Sequence, residues 1–146
     1  MSGKLLEQIQ PVLVDLLTAF GLEREDERSY PASFGNEILV LKCRDFRLRF
    51  VQDRGDIYVD VGPVWEPSEW HLLEDVLEFV TKQNIHLKHD ADHGLHELAA
   101  ALKANHVALQ KFFERAKYVE NKKAFEQFKK IKAEQMFGKH FRQNAE

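Results

Sequence analysis

The stretch IHLKHDADHGLHEL, residues 85–98, holds four histidines and three carboxylates in fourteen positions. If it formed one helix, its imidazoles would fall within about 80° of arc, at about 100° per residue. Imidazoles four residues apart on a helix can share one divalent ion. The candidate ligands of such a metal site are His86, His89, His93 and His96.

The spacing within this stretch departs from known catalytic patterns. HDADH, residues 89–93, resembles the HExxH signature of metalloproteases, but Asp90 is one methylene shorter than the usual general base. We therefore interpret residues 84–91 as a loop in which Asp90 or Asp92 caps the next helix. A metal-binding protein or metal-dependent hydrolase built on His86–His96 is the alternative hypothesis.

Other residue types capable of chemistry occur singly. Cys43 lies on the inward face of a predicted strand, which favours a buried and inert thiol. His106 lies in an apolar helical stripe and is expected to be a hydrogen-bonded core residue. The sequence has no GxSxG, P-loop or Rossmann glycine pattern, and no pair of carboxylates stands out from the solvated acids. We therefore expect no enzymatic activity and no cofactor.

The elements that must position these residues indicate an α+β fold. Leucine and isoleucine at spacings of three and four predict an N-terminal helix over residues 4–20. Residues 37–62 alternate in period two and predict an antiparallel meander of three or four strands. A covering helix is expected to open at EPSEWHLLEDVLEFV, and one or two long helices to follow from about Asp92. The last segment is expected to form a helix that starts at Asn121 and stops near Gly138. We expect a single domain over 1–146, with a helix-sheet-helix core in 1–90 and a helical extension in 91–146.

One face of the predicted meander is apolar, and the other collects basic and aromatic residues. A first turn at Arg44-Asp45 pairs Leu41 with Leu48, and a bulge at Gly55 sets the second hairpin. In that register Arg47 lies between Lys42 and Asp60, and Arg49 lies between Val40 and Tyr58. Such a face is either solvated or a recognition surface. Its candidate binding residues are Lys42, Arg47, Arg49, Tyr58 and Asp60.

Charge is distributed unevenly along the chain. Residues 1–100 have a net charge of −9 and residues 101–146 a net charge of +6. The two parts either attract each other, within one molecule or between copies, or one of them meets a charged partner. The C-terminal helices could thus pair two copies as a homodimer, or bind nucleic acid through their lysines. A pI of 6.2 argues against nucleic acid.

The composition indicates a globular protein away from membranes. Polar residues interrupt the N-terminal apolar run, which fits neither a signal peptide nor a membrane span. The single cysteine points to a reducing compartment. We expect a cytoplasmic protein that does not bind a membrane.

The block SFGNEILVLKCRDFRLRFVQDRGDIYVDVG, followed by EWHLLEDVLEFV, resembles small uncharacterised bacterial proteins of the immunity type found beside polymorphic toxins. The pattern LRFV.DRG..YVDV at residues 48–61 carries the resemblance, which covers residues 33–80. It implies a non-enzymatic protein that binds another protein, and it supplies no catalytic residues.

We therefore predict a protein-binding module that acts by electrostatic and aromatic complementarity. Its contact surface would be the outer sheet face described above or an acidic rim. The acidic rim comprises Glu66, Glu69, Glu74 and Glu78.

Overall fold

The structure is a computed structural model that describes residues 23–30, 36–85 and 93–144, together with Ile9, Pro11, Val14 and Gly21. In these residues five antiparallel strands pair in sequence order, and three helices follow the sheet. The elements are β1 (Glu23–Tyr30), β2 (Asn36–Lys42), β3 (Phe46–Asp53), β4 (Asp56–Pro63), β5 (His71–Leu72), α1 (Leu73–Thr81), α2 (His93–Phe112) and α3 (Tyr118–Asn144). The predicted α+β class is confirmed, with two long C-terminal helices.

The predicted N-terminal helix, residues 4–20, lies outside the described residues except at Ile9, Pro11 and Val14. These three residues have helical backbone. Ile9 is buried and belongs to the same hydrophobic core as the sheet.

The first hairpin has the predicted register. Leu41 pairs with Leu48, and Leu39 pairs with Phe50. The turn between β2 and β3 is closed by the Cys43 amide, which donates to the Phe46 carbonyl at 2.9 Å. Because side chains alternate between faces, this register places all four apolar partners on the inner face, where they are buried.

The second hairpin is shifted by two residues from the predicted register. Arg54 and Gly55 form a two-residue turn with φ of 53° and 91°, and Asp53 pairs with Asp56. Two positive φ values are typical of a type I′ turn, whose twist matches that of the strands it joins. The predicted bulge at Gly55 is therefore wrong. Each side chain still lies on the predicted face of the sheet, because side chains alternate between the faces and a shift of two residues preserves that alternation.

The covering helix begins later than predicted. His71 and Leu72 extend the sheet as β5, where His71 pairs with Val61, and α1 starts at Leu73. It ends at Lys82, whose left-handed backbone (φ 57°) lets its amide donate to the Glu78 carbonyl at 2.8 Å. Pairing with β4 fixes residues 71–72 in an extended conformation, which the apolar spacing alone did not reveal.

The hydrophobic core lies between the inner sheet face and the three helices. Leu48, Phe50 and Val61 of the sheet are fully buried, as are Leu73 and Leu77 of α1. Aromatic rings complete the core at the α2–α3 junction. Its members are Phe79, Phe112, Phe113, Tyr118, Phe125 and Phe128.

A short turn separates α2 from α3. Asn121, predicted as the start of the last helix, lies one turn inside α3 instead. Its side-chain amide donates to the carbonyls of Lys111 and Phe112 at 3.3 and 3.1 Å, which satisfies the open end of α2. The last helix also runs on past Gly138, where it was expected to stop, and reaches Asn144.

Among the helices in the described ranges, none combines the length and the apolar character required to cross a bilayer.

Candidate functional site

The predicted outer sheet face is present, but its arginines are engaged within the molecule. Arg47 is buried, and its guanidinium donates to the Pro67 carbonyl at 2.7 Å. Arg49 makes two hydrogen bonds to one carboxylate oxygen of Asp60, at 2.7 and 3.0 Å. This pair follows from the shifted register, which places Arg49 opposite Asp60. Lys42 is exposed at the end of its strand.

Trp70, which no pattern in the sequence marks, covers this face. The guanidinium carbons of Arg47 and Arg49 lie 4.4 and 4.5 Å from the centroid of its ring. Guanidinium groups stack favourably on indole, so Trp70 fastens the 64–70 loop (residues 64–70) to the sheet. Tyr58 is 37% exposed. The role of this face in binding stays a prediction.

The histidine stretch is described only in part. His86 and His89 lie outside the described residues, as does the side chain of His93, which begins α2. His96 is exposed on α2. Within the described ranges, no group of three metal-binding side chains comes together. The metal hypothesis therefore stays a prediction.

Cys43 and His106 have the surroundings of structural residues. The Cys43 thiol is buried and donates to the Phe46 carbonyl at 3.3 Å, and burial raises its pKa. A raised pKa disfavours the reactive thiolate. The ring of His106 lies 6.0 Å from that of Phe46, edge to face, and burial lowers its pKa.

A chain of four polar side chains links the 64–70 loop, β5 and α3. The Tyr118 hydroxyl donates to a carboxylate oxygen of Glu69 at 2.6 Å. Its oxygen lies 2.8 Å from Nε2 of His71. Since the hydroxyl hydrogen is directed to Glu69, His71 must donate through Nε2–H. The second carboxylate oxygen of Glu69 accepts a hydrogen bond from Lys122. We call these four residues the polar chain.

The surroundings shift the pKa of His71, Glu69 and Tyr118 within the polar chain. Burial lowers the pKa of His71, and the positive charge of Lys129 adds to this effect, so the imidazole is neutral. Burial would raise the pKa of Glu69, but hydrogen bonds from Lys122 and Tyr118 outweigh it and lower that pKa. Burial and the neighbouring Glu69 raise the pKa of Tyr118. The polar chain is therefore suited to holding α3 in place rather than to moving protons.

An open cavity of about 870 Å³, which we call the α3 groove, adjoins the polar chain. Its head is formed by Trp65, whose ring meets the Tyr118 ring edge to face at 5.0 Å. The indole N–H of Trp65 donates to the Phe113 carbonyl at 3.3 Å. The lining residues are Trp65, Glu66, Glu69, Tyr118, Val119, Lys122, Lys123, Glu126, Gln127 and Lys130.

The charge asymmetry of the sequence is partly resolved within the molecule. Lys122 pairs with Glu69 near the start of α3, and Lys132 pairs with the buried Glu78 three turns later. Glu78 also accepts a hydrogen bond from the Ile85 amide at 3.2 Å. Two acids of the predicted rim thus bind the basic helix, which favours attraction between the two parts of one molecule.

From residue 131 onwards α3 exposes large apolar side chains. Ile131, Met136 and Phe137 are 45%, 64% and 78% exposed. We call residues 131–137 the α3 tip. The structure places Phe137 in solvent.

Comparison with known proteins supplies no function for this chain. It matches no protein-family model, and no curated protein or solved structure shows significant similarity to it. The α3 groove and the α3 tip are therefore the structural features that bear on function.

The polar chain makes stability depend on pH. The ordinary pKa of histidine is about 6.5, and that of His71 is lower in the folded state. Below pH 6.5 the unfolded state binds a proton that the folded state excludes, so the free energy of unfolding should fall as pH falls. His106 contributes in the same direction. Urea unfolding between pH 7.5 and 5.5 checks this expectation.

A matched pair of variants isolates the contribution of His71. His71→Gln should give a shallower pH dependence than the wild type over this interval. His96→Gln, which alters an exposed histidine of α2, should keep the wild-type slope. An unchanged slope in His71→Gln would contradict the assignment.

Proposed function

We propose that the protein is a non-enzymatic module that binds another protein through the α3 tip. The observation that carries the proposal is the exposure of Met136 and Phe137 on a helix whose preceding turns are anchored to the body. Exposed apolar side chains in close proximity are typical of protein contact sites, where aromatic residues and methionine are enriched.

The anchoring of α3 supports this role. Lys122 and Lys132 pair with acids of the body, and Phe125 is fully buried between them. The helix therefore presents its tip in a defined orientation, which lowers the entropy lost on binding. The exposed Lys130, which directly precedes the tip, favours a partner with an acidic rim around an apolar depression.

The outer sheet face offers less for such a contact. The guanidinium groups of Arg47 and Arg49 are engaged by Pro67, Asp60 and Trp70. A partner that used them would have to replace these interactions. The α3 tip requires no such exchange, since its apolar side chains already face solvent.

The proposal extends to location and biological role. A cytoplasmic location is favoured by the one cysteine, Cys43, which is a buried free thiol. An immunity-type role, as the sequence resemblance implies, would be one form of protein binding. Binding of a second copy of this chain would be another.

The test compares two glutamate substitutions at exposed apolar positions. Phe137→Glu alters the α3 tip, and Val107→Glu alters α2, where Val107 is 60% exposed. Both should leave the free energy of unfolding within about 0.5 kcal/mol of the wild type. Immobilised wild-type protein should retain a partner from cell extract, and Phe137→Glu should retain at least about tenfold less of it.

The control decides the outcome. Val107→Glu should retain the same protein as the wild type. Light scattering shows whether the partner is a second copy, because the wild-type mass would then be that of two chains and that of Phe137→Glu of one. Retention that is equal in all three proteins, with an unchanged mass, would overturn the proposal.

A further inference from the structure

The α3 groove is separate from the α3 tip and has the features of a small-molecule site. We propose that it binds an amphipathic organic anion, with a planar apolar body and an acidic group. The inference goes beyond protein binding and rests on different residues. Its cavity of about 870 Å³ lies within the range of roughly 300–1,000 Å³ typical of ligand pockets.

The head of the groove suits a planar apolar body. The rings of Trp65 and Tyr118 meet at 82° and form a corner, in which the half-buried Trp65 ring is the accessible wall and the buried Tyr118 ring supports it from behind. Val119, next to this corner, is 62% exposed. The N–H of Trp65 and the hydroxyl of Tyr118 are already hydrogen-bonded within the protein. What remains for a ligand at this corner is apolar and aromatic surface.

The corner is fixed before any ligand arrives. His71 and Glu69 hold the Tyr118 hydroxyl from two sides, and the Phe113 carbonyl holds the Trp65 indole. Little side-chain freedom is therefore lost on binding, which favours affinity. A tyrosine with two hydrogen-bond partners also keeps its orientation when the groove is empty.

The acidic side chains of the groove already have partners. Glu69 is paired with Lys122 and with Tyr118. Glu66 accepts a hydrogen bond from Ser68 at 3.1 Å, and Glu126 lies 3.5 Å from Lys129. Lysines thus compensate the charges of Glu69 and Glu126, whereas the Ser68 hydroxyl is neutral and leaves the single negative charge of Glu66 in place.

Two lysines of the groove remain available. Lys123 and Lys130 are exposed, and neither forms an ion pair within the part of the chain that the structure describes. They are seven residues apart on α3, so two turns, or about 10 Å, separate them along the helix. Arg115 adds a third cation, 6.0 Å from the centroid of the Trp65 ring. The uncompensated charge at the groove is therefore positive, which selects an anion.

Lys123 and Lys130 lie on the same side of α3 as Val119. The three residues are spaced by four and by seven, which places them on one helical stripe. A ligand that rests its apolar body against Trp65 and Val119 would thus direct its acidic group along the stripe towards the lysines. The groove matches amphipathic anions rather than neutral or cationic ligands of the same size.

Two fluorescent probes with the same ring system test this inference. 8-Anilino-1-naphthalenesulfonate carries a sulfonate, and N-phenyl-1-naphthylamine is its uncharged counterpart. We expect the folded wild type to bind one equivalent of the anionic probe more tightly than the neutral one. The double variant Lys123→Gln/Lys130→Gln should bind the anionic probe with about five- to tenfold lower affinity. Its affinity for the neutral probe should change by less than about twofold.

The controls separate this site from other surfaces. Lys103→Gln/Lys111→Gln removes two exposed lysines of α2 and should bind both probes as the wild type does. Phe137→Glu should also leave both affinities unchanged, because the α3 tip lies outside the groove. If the tip variant lost its protein partner and kept the probe, the two sites would be shown to be independent.

Three results would overturn the inference. One is equal affinity of the wild type for the two probes. Another is a loss of anionic-probe binding in Lys103→Gln/Lys111→Gln as large as that in Lys123→Gln/Lys130→Gln. The third is loss of anionic-probe binding in Phe137→Glu, which would place the probe on the tip. Thermal melts of every variant ensure that affinities are compared between folded proteins.

Discussion

Replacement of Gly62 by alanine is expected to lower the free energy of unfolding by about 3 kcal/mol, at the upper end of overpacking effects. A Cβ on Gly62 would lie 2.1 Å from the backbone carbonyl oxygen of Glu69 and 3.4 Å from the ring of Trp70. Backbone cannot rotate away as a long side chain can, so the 64–70 loop would have to lift from the sheet.

Several interactions depend on that close approach. The loop is held to the outer face by the Arg47 hydrogen bond to Pro67 and by the stacking of Trp70. Lifting the loop would lengthen or break these contacts and displace Glu69 from Tyr118. The predicted decrease in the free energy of unfolding therefore has two causes, a steric clash and weakened polar interactions.

Urea unfolding of Gly62→Ala and Gly55→Ala checks this prediction. Gly55 has φ +91° and nothing within 4 Å of the added Cβ, so its substitution is strained but not crowded. We expect a cost of about 1 kcal/mol there. Folded Gly62→Ala should also show red-shifted tryptophan emission, since Trp65 and Trp70 lie on the moved loop. A loss no larger than that of Gly55→Ala would contradict the proposed crowding.

The sheet was largely predictable because its signal is local. Alternating apolar residues define the inner face, and Leu39, Leu41, Leu48 and Phe50 are all buried there. The register of the second hairpin was not predictable to the same degree. Both a two-residue turn and a turn with a bulge at Gly55 fit the stretch Asp53-Arg54-Gly55. Both also leave the same side chains of the strands on the inner face of the sheet. The choice between them is made by the backbone of Arg54, which adopts φ 53°.

The predicted helix boundaries were wrong where tertiary contacts override the local conformational preference of the residues. Leu72 fits the apolar stripe of the predicted covering helix, yet pairing with β4 makes His71 and Leu72 a strand. Asn121 has a side chain typical of helix starts, yet it caps the end of α2. In both cases the deciding partner lies outside the local window, at β4 for His71 and one helix earlier for Asn121.

Most of the candidate site could not be predicted from the sequence, for a similar reason. Fifty-three positions separate Glu69 from Lys122, and no recognised motif connects them. Trp65 and Trp70 come from a loop, which has no periodicity to assign their faces. The one usable signal was the opposite charge of residues 1–100 and 101–146, which predicted attraction between the two parts.

Removal of the Tyr118 hydroxyl, by Tyr118→Phe, is expected to lower the free energy of unfolding by about 2 kcal/mol. The hydroxyl accepts from His71 and donates to Glu69, so the variant leaves a buried imidazole N–H without its partner. An unsatisfied buried donor costs about 1–3 kcal/mol. The ring keeps its contacts with Trp65 and Phe113, so lost packing does not explain the effect.

The difference in the free energy of unfolding between the wild type and Tyr118→Phe should depend on pH. The hydrogen bond from Tyr118 helps to lower the pKa of Glu69 below its ordinary value of about 4.5. A lowered pKa contributes stability that is present above pH 4.5 and lost as pH falls through the folded-state value. The difference between wild type and variant should therefore be largest near neutral pH and narrow below pH 4.5.

A double-mutant cycle between Tyr118→Phe and Glu69→Gln separates this interaction from other effects of each substitution. Groups in one hydrogen-bond network typically couple by about 0.5–3 kcal/mol, so the two losses should not add. Tyr58→Phe, at a tyrosine 37% exposed on the outer sheet face, serves as the control and should cost less than about 1 kcal/mol. Additive losses, or a deficit that stays constant from pH 7 to pH 3.5, would show that the hydroxyl does not connect α3 to the 64–70 loop. Coupled losses would show that the corner of the α3 groove is held by the same hydrogen bonds that stabilise the fold.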